Sequence, residues 1–484
     1  MAGRFLSLFK PVARIIPEIK MPERRVRFNE KIFWTALVLI VFLVMSEVPL
    51  YGIEKSALGE LAALRIIFAS SRGSLMELGI GPIVTAGLIL QLLTGSGLVK
   101  ADMSKSEDRG LFTSASKVFS IVLTGVQASA YIIGGMYGTL GGSTAIIVFL
   151  QLIAAGIVVL LLDELVQKGW GFGSGISLFI MAGVAQHIFW QAFTPLPGVG
   201  TIEEVQGLGY GFFFALSEVL SSGKPLSVLW LRGQNPSLMG LIATIVAFFV
   251  IIYAEGVRVE LPLSYAGYKG YRSRYPIKLL YVSNLPVIFA SALFANVYFF
   301  SQLFWSMSGQ PLPGRNVWLD ILGQFNVLTP EGGGQGSIQS IGGLVYYVTA
   351  PRNFLDVSAD PLRALIYLGI LVAFCVVFSL TWLEVGGLGS STVAKQLVDA
   401  GMQIPGYRRS GKAVEQILNR YIPAVTVLGG VVVGLVAGVT DFFGVFGSGM
   451  GILLSVGIIY QYYEILMRER AAEMYPAFRR IFGE

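Results

Sequence analysis

The chain has 484 residues, of which 54% are hydrophobic and 13% charged, and its formal net charge is +6. Soluble domains carry about 25% charged residues, so this composition excludes an ordinary soluble protein and indicates a multi-span membrane protein. A single cysteine, Cys375, excludes an intrachain disulfide, and there is no HExxH, P-loop or dinucleotide-binding motif. We therefore expect no metal, no cofactor and no enzymatic activity.

Residues 1–31 form a basic segment ahead of the first apolar run. They contain eight Lys and Arg residues and three prolines, which is not the pattern of a cleavable secretory signal. Within them, Phe5–Ile16 places apolar residues between Lys10 and Arg14. That pattern suits a short amphipathic helix lying on an anionic membrane surface, and a flexible basic tail is the alternative.

Nine charge-free runs follow and indicate the membrane spans. They are Ile32–Ser46, Leu78–Val99, Val118–Leu162, Gly169–Ile202, Gly233–Ala254, Leu279–Gly314, Ala364–Leu383, Tyr421–Thr440 and Phe442–Tyr463. The run from Val118 has 45 residues, too many for one span, and a glycine-rich stretch at 134–142 divides it into two helices. The sequence therefore predicts ten spans, with both termini on the same side of the membrane.

The orientation follows from the positions of Lys and Arg. With the N-terminus in the cytoplasm, 27 of the 35 Lys and Arg residues fall on the cytoplasmic side and 8 on the outer side. Short cytoplasmic loops are enriched in these residues, so we expect both termini to be cytoplasmic.

The segment Lys55–Gly73, between the first two spans, has an unusual pattern. Charged residues interrupt it and it is too short to cross a membrane, yet large apolar residues lie near one helical face. These residues are Leu58, Leu61, Leu64, Ile67 and Phe68. We predict a short helix that folds back from the outer side, and an amphipathic helix lying on the lipid is the alternative.

Two short signatures occur twice, in the same order. Ile80–Val84 and Asn284–Ile288 each contain a proline followed by two branched aliphatic residues, and Phe172–Gly175 and Phe446–Gly449 both read FGSG. Spans 2 and 5 thus resemble spans 7 and 10, and an odd offset of five spans reverses the direction of the chain. This predicts two inverted halves with a site or pore at their interface.

Charged side chains are nearly absent from the predicted span cores, which contain only Glu47 and His187 as titratable acids or bases. Proton-coupled transporters usually need such groups inside the membrane. A pore lined by aliphatic side chains blocks ions by dewetting and suits a large, chemically varied substrate. The alternatives are an inverted-repeat secondary transporter for a small solute and a purely structural scaffold.

Four stretches identify a family. GIGPIVTAGLILQLLTGSG, FGSGISLFI, YPIKLLYVSNLPVIFASALFAN and LVDAGMQIPGYR resemble the SecY family, the central subunits of the Sec protein-conducting channel. These stretches most resemble the archaeal type, which is related to the channel of the eukaryotic endoplasmic reticulum. The resemblance covers about residues 28–470. It implies passage of unfolded secretory chains, sideways release of apolar helices into lipid, and a location in the plasma membrane.

The resemblance also implies a fold: an all-α membrane protein whose ten transmembrane helices form two inverted halves (spans 1–5 and 6–10) around a central pore, with a short re-entrant plug helix. We expect five regions along the chain. They are the cytoplasmic N-terminal segment 1–31, the first half 32–194 with the plug at about 57–70, the external loop 195–237, the second half 238–467 and the cytoplasmic tail 468–484.

Residues of the family's pore and gate carry over to positions in this chain. The apolar pore ring corresponds to Ile80, Val84, Ile176, Ile180, Ile288 and Leu454. These positions fall on the repeated signatures, and the plug corresponds to the fold-back segment with its five apolar residues. A polar cluster across the lateral gate, between spans 2–3 and 7–8, corresponds to Thr85, Gln127 and Asn296, and the family often has an acid at the middle position.

The cytoplasmic loops imply a docking surface. Basic residues with interleaved tyrosines at 258–278, and the basic loop at 385–420, can bind RNA phosphates, whereas the ordinary positive-inside bias is the alternative. The candidate residues are Lys269, Arg272, Arg274, Arg408, Arg409 and Lys412. The resemblance implies a translating ribosome, the signal-recognition-particle receptor, signal peptides and nascent chains, lipid, and SecE-like and small beta-type membrane subunits as partners, and no DNA.

Overall fold

The structure is a computed structural model of the chain. It describes residue 11 and the ranges 16–24, 26–53, 69–71, 73–95, 98–99, 106–134, 137, 140–195, 210–233, 235–265, 272–282, 285–309, 316–328, 337–351, 353–403 and 411–474.

Helices account for most of the described chain. In order they are α1 (Phe28–Glu47), α2 (Gly81–Gly95), α3 (Ser106–Ile133), α4 (Gly142–Leu165), α5 (Gly175–Phe193), α6 (Phe212–Ser222), α7 (Leu238–Gly256), α8 (Leu285–Met307), α9 (Val317–Leu322), α10 (Gly343–Val348), α11 (Phe354–Ala359), α12 (Pro361–Val385), α13 (Ser390–Asp399), α14 (Gly411–Phe442) and α15 (Gly449–Met474). Within the described residues, nine helices are long and apolar enough to cross a membrane, and α2 is a shorter apolar helix.

The ten predicted spans are confirmed as α1–α5, α7, α8, α12, α14 and α15. Their ends differ from the charge-free runs. The helices α3 and α14 begin at Ser106 and Gly411, well before the predicted starts at Val118 and Tyr421, because charged residues on a helix end can reach water. Conversely, α2 begins only at Gly81, since Gly79 adopts a left-handed turn (φ 53°) just before it.

The two halves meet through α5 and α15, which pack against each other. A Cβ added at Gly173 would lie 2.8 Å from Tyr462 Oη, and one added at Gly447 would lie 2.8 Å from Ile188 Cγ1. Each of these partners stands 15 residues beyond the FGSG glycine of its own half. The contact is therefore reciprocal, as expected for two helices related by an inverted repeat.

Two small antiparallel sheets stand between spans, and the sequence reasoning did not predict them. Strands β1 (Arg258–Tyr265), β2 (Arg272–Lys278) and β5 (Met402–Gln403) form one sheet in the order β2-β1-β5. It packs on α13 and α14 through a separate apolar cluster that includes Leu261 and Ile277. Strands β3 (Gln324–Leu328) and β4 (Ser337–Gly342) form a hairpin beside α8.

Candidate channel ring and lateral gate

The predicted ring residues converge in one apolar core between the halves. Ile80, Ile180 and Leu454 are 0% exposed and Val84 is 7% exposed. Ile176 and Ile288 are half-buried and pack against the same cluster. Side chains from α5, α8 and α15 and from the start of α2 thus belong to one buried apolar core.

The start of α2 positions two of these side chains. Tight turns precede the helix, with the Gly79 and Gly81 amides donating to Met76 O and Leu78 O at 3.0 and 3.2 Å. Pro82 then occupies the first helical turn, where its missing N–H leaves no intrahelical hydrogen bond unmade. Ile80 and Val84 are therefore placed on either side of a rigid helix start.

Each FGSG signature begins a helix whose first amides bond to a buried carboxylate. Asp163 Oδ1 accepts a hydrogen bond from Ile176 N (2.9 Å) at the start of α5. Asp441 Oδ1 accepts one from Gly449 N (2.6 Å) at the start of α15. The first amides of a helix have no intrahelical acceptor, and a carboxylate there also interacts favourably with the helix dipole. These two acids therefore hold the starts of the helices that carry Ile180 and Leu454.

Contacts across the halves hold the same two helix starts. Tyr462 Oη lies 2.9 Å from Phe172 O and 3.0 Å from Ser174 O, and it donates its proton to this pair of carbonyls. Gln191 Oε1 accepts a hydrogen bond from Gly447 N at 2.8 Å. A side chain from each half therefore bonds the FGSG backbone of the other.

The predicted gate cluster is partly assembled. Asn296 Nδ2 on α8 donates to Thr85 Oγ1 on α2 at 3.1 Å. Gln127 is half-buried on α3 and makes no hydrogen bond with a residue that the structure describes. The pair of Thr85 and Asn296 joins the two halves, and Gln127 is not part of that contact.

Further contacts close the seam between α3 and α8. The rings of Tyr131 and Phe299 stack with their centroids 5.0 Å apart. Ser306 Oγ donates to Gly134 O at 2.5 Å, at the end of α3. Neither contact involves an ion pair, so breaking these two contacts exposes no charge to lipid.

The chain leaves and rejoins the membrane helices at one narrow neck on either side of the predicted plug. Pro49 and Ser74 form an isolated antiparallel bridge, and Leu50 N donates to Gly73 O at 2.8 Å. Ala69 packs in the same core cluster as the ring. The plug residues Leu58, Leu61, Leu64, Ile67 and Phe68 lie outside the described residues.

The predicted docking residues are only partly described. Lys269, Arg408 and Arg409 lie outside the described residues, and Arg272 is described only as the first residue of β2. Arg274 Nη1 bonds Glu260 Oε2 at 2.6 Å, and this hydrogen bond lowers the pKa of the Glu260 carboxyl. Lys412 is exposed at the start of α14.

Sequence reasoning missed the carboxylates of Asp163 and Asp441. Both acids bounded a charge-free run and were counted as span ends, but the helices continue through them and bury them. The signal was present in the sequence, because Asp163 lies 9 residues before Phe172 and Asp441 lies 5 residues before Phe446, the first residues of the two FGSG signatures. Among the residues that the structure describes, no group of three or more His, Cys, Asp or Glu side chains is placed to hold a metal ion.

The two inverted halves pack against each other over one buried apolar core, and the comparisons with known proteins specify the class of the protein. A family model for SecY matches residues 74–463, and one for the plug domain of Sec61p matches residues 40–73. The protein is thus a protein-conducting channel, and the chain belongs to the SecY family. A small-solute transporter is not favoured.

Solved structures agree over nearly the whole chain. A solved structure described as a protein conducting channel has a chain that is 36% identical in sequence to this one. The match covers 97% of this chain and 98% of that chain, with a TM-score of 0.79. A SecY channel described as having a plug domain that stabilises the closed state is 35% identical over the same shares, with a TM-score of 0.75. Sec61 from the canine ribosome-channel complex of the endoplasmic reticulum is 35% identical over the same shares, with a TM-score of 0.77.

Proposed function

We propose that unfolded polypeptides pass through the ring formed by Ile80, Val84, Ile176, Ile180, Ile288 and Leu454. The observation that carries this proposal is the convergence of these side chains, from four spans of both halves, in one buried core. A shut aliphatic ring excludes water and therefore ions. It can also widen around a chain of any sequence, because no salt bridge has to break.

The seam between α2–α3 and α8–α12 would serve as the lateral gate. An interhelical hydrogen bond such as that of Asn296 with Thr85 contributes only about 0.6 kcal/mol in a membrane. A signal helix that competes for the seam therefore faces a small barrier from this contact. The neck at Pro49 and Ser74 would keep the plug tethered beside the ring while it moves.

We infer that both termini are cytoplasmic and that the membrane is the plasma membrane, from the distribution of Lys and Arg and the resemblance to the archaeal type. The regions 1–31, 32–194, 195–237, 238–467 and 468–484 would then be the cytoplasmic segment, first half, external loop, second half and tail.

The chain has no nucleotide-binding motif, so the driving force would come from a partner. A translating ribosome would dock on the basic cytoplasmic loops through Lys269, Arg272, Arg408, Arg409 and Lys412. Arg274 would contribute less, because Glu260 already pairs with it. A SecE-like helix, a small beta-type subunit and the signal-recognition-particle receptor complete the proposed assembly.

Ion leak tests the ring. The double variant Ile176→Ser and Ile288→Ser replaces two half-buried ring residues and should raise the resting conductance of reconstituted vesicles, since a polar constriction is wetted more easily. The matched control is Ile89→Ser with Ile370→Ser, two half-buried isoleucines on α2 and α12 in the same core. Equal conductance of the two variants would refute the ring assignment.

Ribosome binding tests the docking surface. Arg408→Glu should weaken binding at physiological salt, whereas Arg468→Glu, a charge-matched change on the exposed part of α15, should have a smaller effect. Unchanged binding of the Arg408 variant across a salt titration would contradict the docking role, and it would leave the ring assignment intact.

A further inference from the structure

The short helix α9 exposes an apolar surface that neither the ring nor the gate uses. Val317, Trp318 and Ile321 are 70%, 77% and 57% exposed. Ile341 on β4 and Leu344 on α10 are also exposed, at 44% and 45%. We call these five residues the α9 patch. Three large apolar side chains on one six-residue helix are rarely left in contact with water. We therefore expect lipid or another protein surface to cover them.

The position of α9 along the span α8 indicates its depth. Gly323 directly follows α9, and a Cβ added to it would lie 2.5 Å from Ser301 Oγ. Ser301 lies six residues before Met307, the last residue of α8. At 1.5 Å per residue, the end of α9 therefore lies about 9 Å along α8 from Met307, towards the middle of that helix. Interfacial helices bury their apolar face about 5–10 Å into the boundary between headgroups and acyl chains.

The lipid-facing side of α8 has the same character at this end. Phe300, Phe304 and Met307 are all large, apolar and exposed. The α9 patch therefore lies beside a span whose own exposed side chains at this end are apolar. Trp318 is the most exposed patch residue, and tryptophan is enriched at the level of the lipid headgroups.

An aromatic cluster ties the patch rigidly to α8. Tyr298 and Trp305 of α8 pack against Phe325 of β3, with ring centroids 5.6 and 5.5 Å apart. Val345 on α10 completes this buried cluster. The patch therefore moves together with α8, the span that carries Asn296 and Ile288.

We propose that the α9 patch binds the bilayer itself, and that α9 lies in the membrane interface as an anchor of α8. The occupant is lipid: acyl chains against Val317 and Ile321, and headgroups around the indole of Trp318. Movement of α8 away from α2 would then drag α9 through the interface, so lipid packing on this side of the membrane resists opening of the seam.

Site-directed spin labelling tests this proposal in the full chain, reconstituted in phosphatidylcholine and phosphatidylglycerol vesicles. A nitroxide is attached at Trp318→Cys or Ile321→Cys, and the native Cys375 is fully buried and does not compete. Collision rates with oxygen, which partitions into lipid, and with a water-soluble nickel complex then report the surroundings. Phe249→Cys, exposed in the middle of α7, calibrates lipid, and Arg274→Cys on β2 calibrates water.

The proposal predicts an oxygen-to-nickel ratio at residues 318 and 321 several-fold above that of residue 274 and approaching that of residue 249. A ratio equal to that of residue 274 would place the patch in water and overturn the proposal. Protection from both reagents would also overturn it, because a protein, either another copy or a partner subunit, would then cover the patch. Neither result depends on whether the ring conducts polypeptides.

Discussion

The two FGSG helix starts share a backbone design but differ in what surrounds them. At α5, Asp163 bonds Ile176 N, and it also accepts from Gln167, whose side chain reaches the surface. At α15, Asp441 bonds Gly449 N and accepts from the phenol of Tyr367, which is 0% exposed. One acid thus belongs to a water-connected network and the other to the apolar core.

The start of α5 also lies beside a group of ion pairs, and Asp441 at α15 has none among the described residues. Glu164, adjacent to Asp163, pairs with Lys117 at 2.5 Å and with Lys168 at 2.8 Å, and Lys168 also pairs with Glu18 of the N-terminal segment at 2.5 Å. At α15, Asp441 has only neutral hydrogen-bond partners among the described residues. An inverted repeat thus preserves the hydrogen bond between a carboxylate and a helix start in both halves, whereas the contacts around each carboxylate differ.

The largest expected effect is that of Asp441→Leu. It leaves the Gly449 amide and the Tyr367 hydroxyl without a partner in a fully buried site, which should cost about 2–5 kcal/mol of stability. Asp163→Leu should cost about half as much, because Gln167 can bond water instead. The unfolding midpoint in a denaturing-detergent titration measures both variants, and Asp441→Asn, which keeps an acceptor, is the control. Equal losses for the two leucine variants would remove the distinction drawn between the helix starts.

Alanine at the FGSG glycines gives the next effect. Gly173 and Gly447 have φ values of 69° and 78°, and a left-handed alanine costs about 1–2 kcal/mol at either position. Gly173→Ala should cost about 1 kcal/mol more, because its Cβ displaces the hydrogen-bonded Tyr462, whereas the nearest atoms to the Cβ of Gly447→Ala belong to the aliphatic side chains of Ile188 and Val184.

A double-mutant cycle with Tyr462→Phe checks that difference by thermal unfolding in detergent. If Tyr462 is the cause, Gly173→Ala should cost less in the Tyr462→Phe background than in the original chain. An unchanged cost would assign the difference to the backbone alone.

Glu164→Gln should have a smaller effect that depends on salt. The change removes the charge that pairs with Lys117 and Lys168, whose side chains are 17% exposed against 6% for Glu164. The amide oxygen of glutamine can still accept a hydrogen bond from a lysine, so the cost should be about 1 kcal/mol at low ionic strength. Salt screens partly exposed pairs, so the cost should shrink between 0.05 and about 0.5 M salt. Asp441→Asn is the matched control, and its stability difference should not vary with salt. A salt-independent cost for the Glu164 variant would contradict a water-connected network at α5.

The smallest effect concerns pH and Glu18. The hydrogen bond from Lys168 lowers the pKa of the Glu18 carboxyl below its ordinary value. A carboxyl with a lowered pKa in the folded state stabilises the fold above its unfolded pKa, and this contribution is lost as the pH falls through the folded value. The stability difference between the original chain and Glu18→Gln should therefore vanish in acid and persist at neutral pH. A difference that grows in acid would reverse the sign of this linkage.

Much of the fold could be predicted from the sequence because membrane spans obey a strong rule: charge is excluded and backbone polar groups must bond within the helix. Charge-free runs therefore located all ten spans. Their ends were harder to predict, since Ser106 and Gly411 begin helices that carry charged turns into water. The hairpin of β1 and β2 was missed because its side chains, such as Leu261 and Ile277, pack on α13 and α14, far away in sequence.

The candidate site divides in the same way. The ring positions were carried over from the resemblance and also coincide with the repeated signatures, and the gate positions Thr85 and Asn296 were carried over in the same way. The acids Asp163 and Asp441 were not predicted, because their role depends on where the next helix begins in space. Gln127 shows the converse, because this position matched to the family makes no hydrogen bond with Asn296 in the structure.

The most direct test of the central claim is photo-crosslinking inside the ring. A photoreactive amino acid at Val84 or Ile288 should label a secretory chain stalled during translocation. The same probe at Leu90, which is buried on α2 in a separate cluster with α3, should not label it. Labelling by lipid alone at Val84 and Ile288, or equal labelling at Leu90, would contradict passage through the ring.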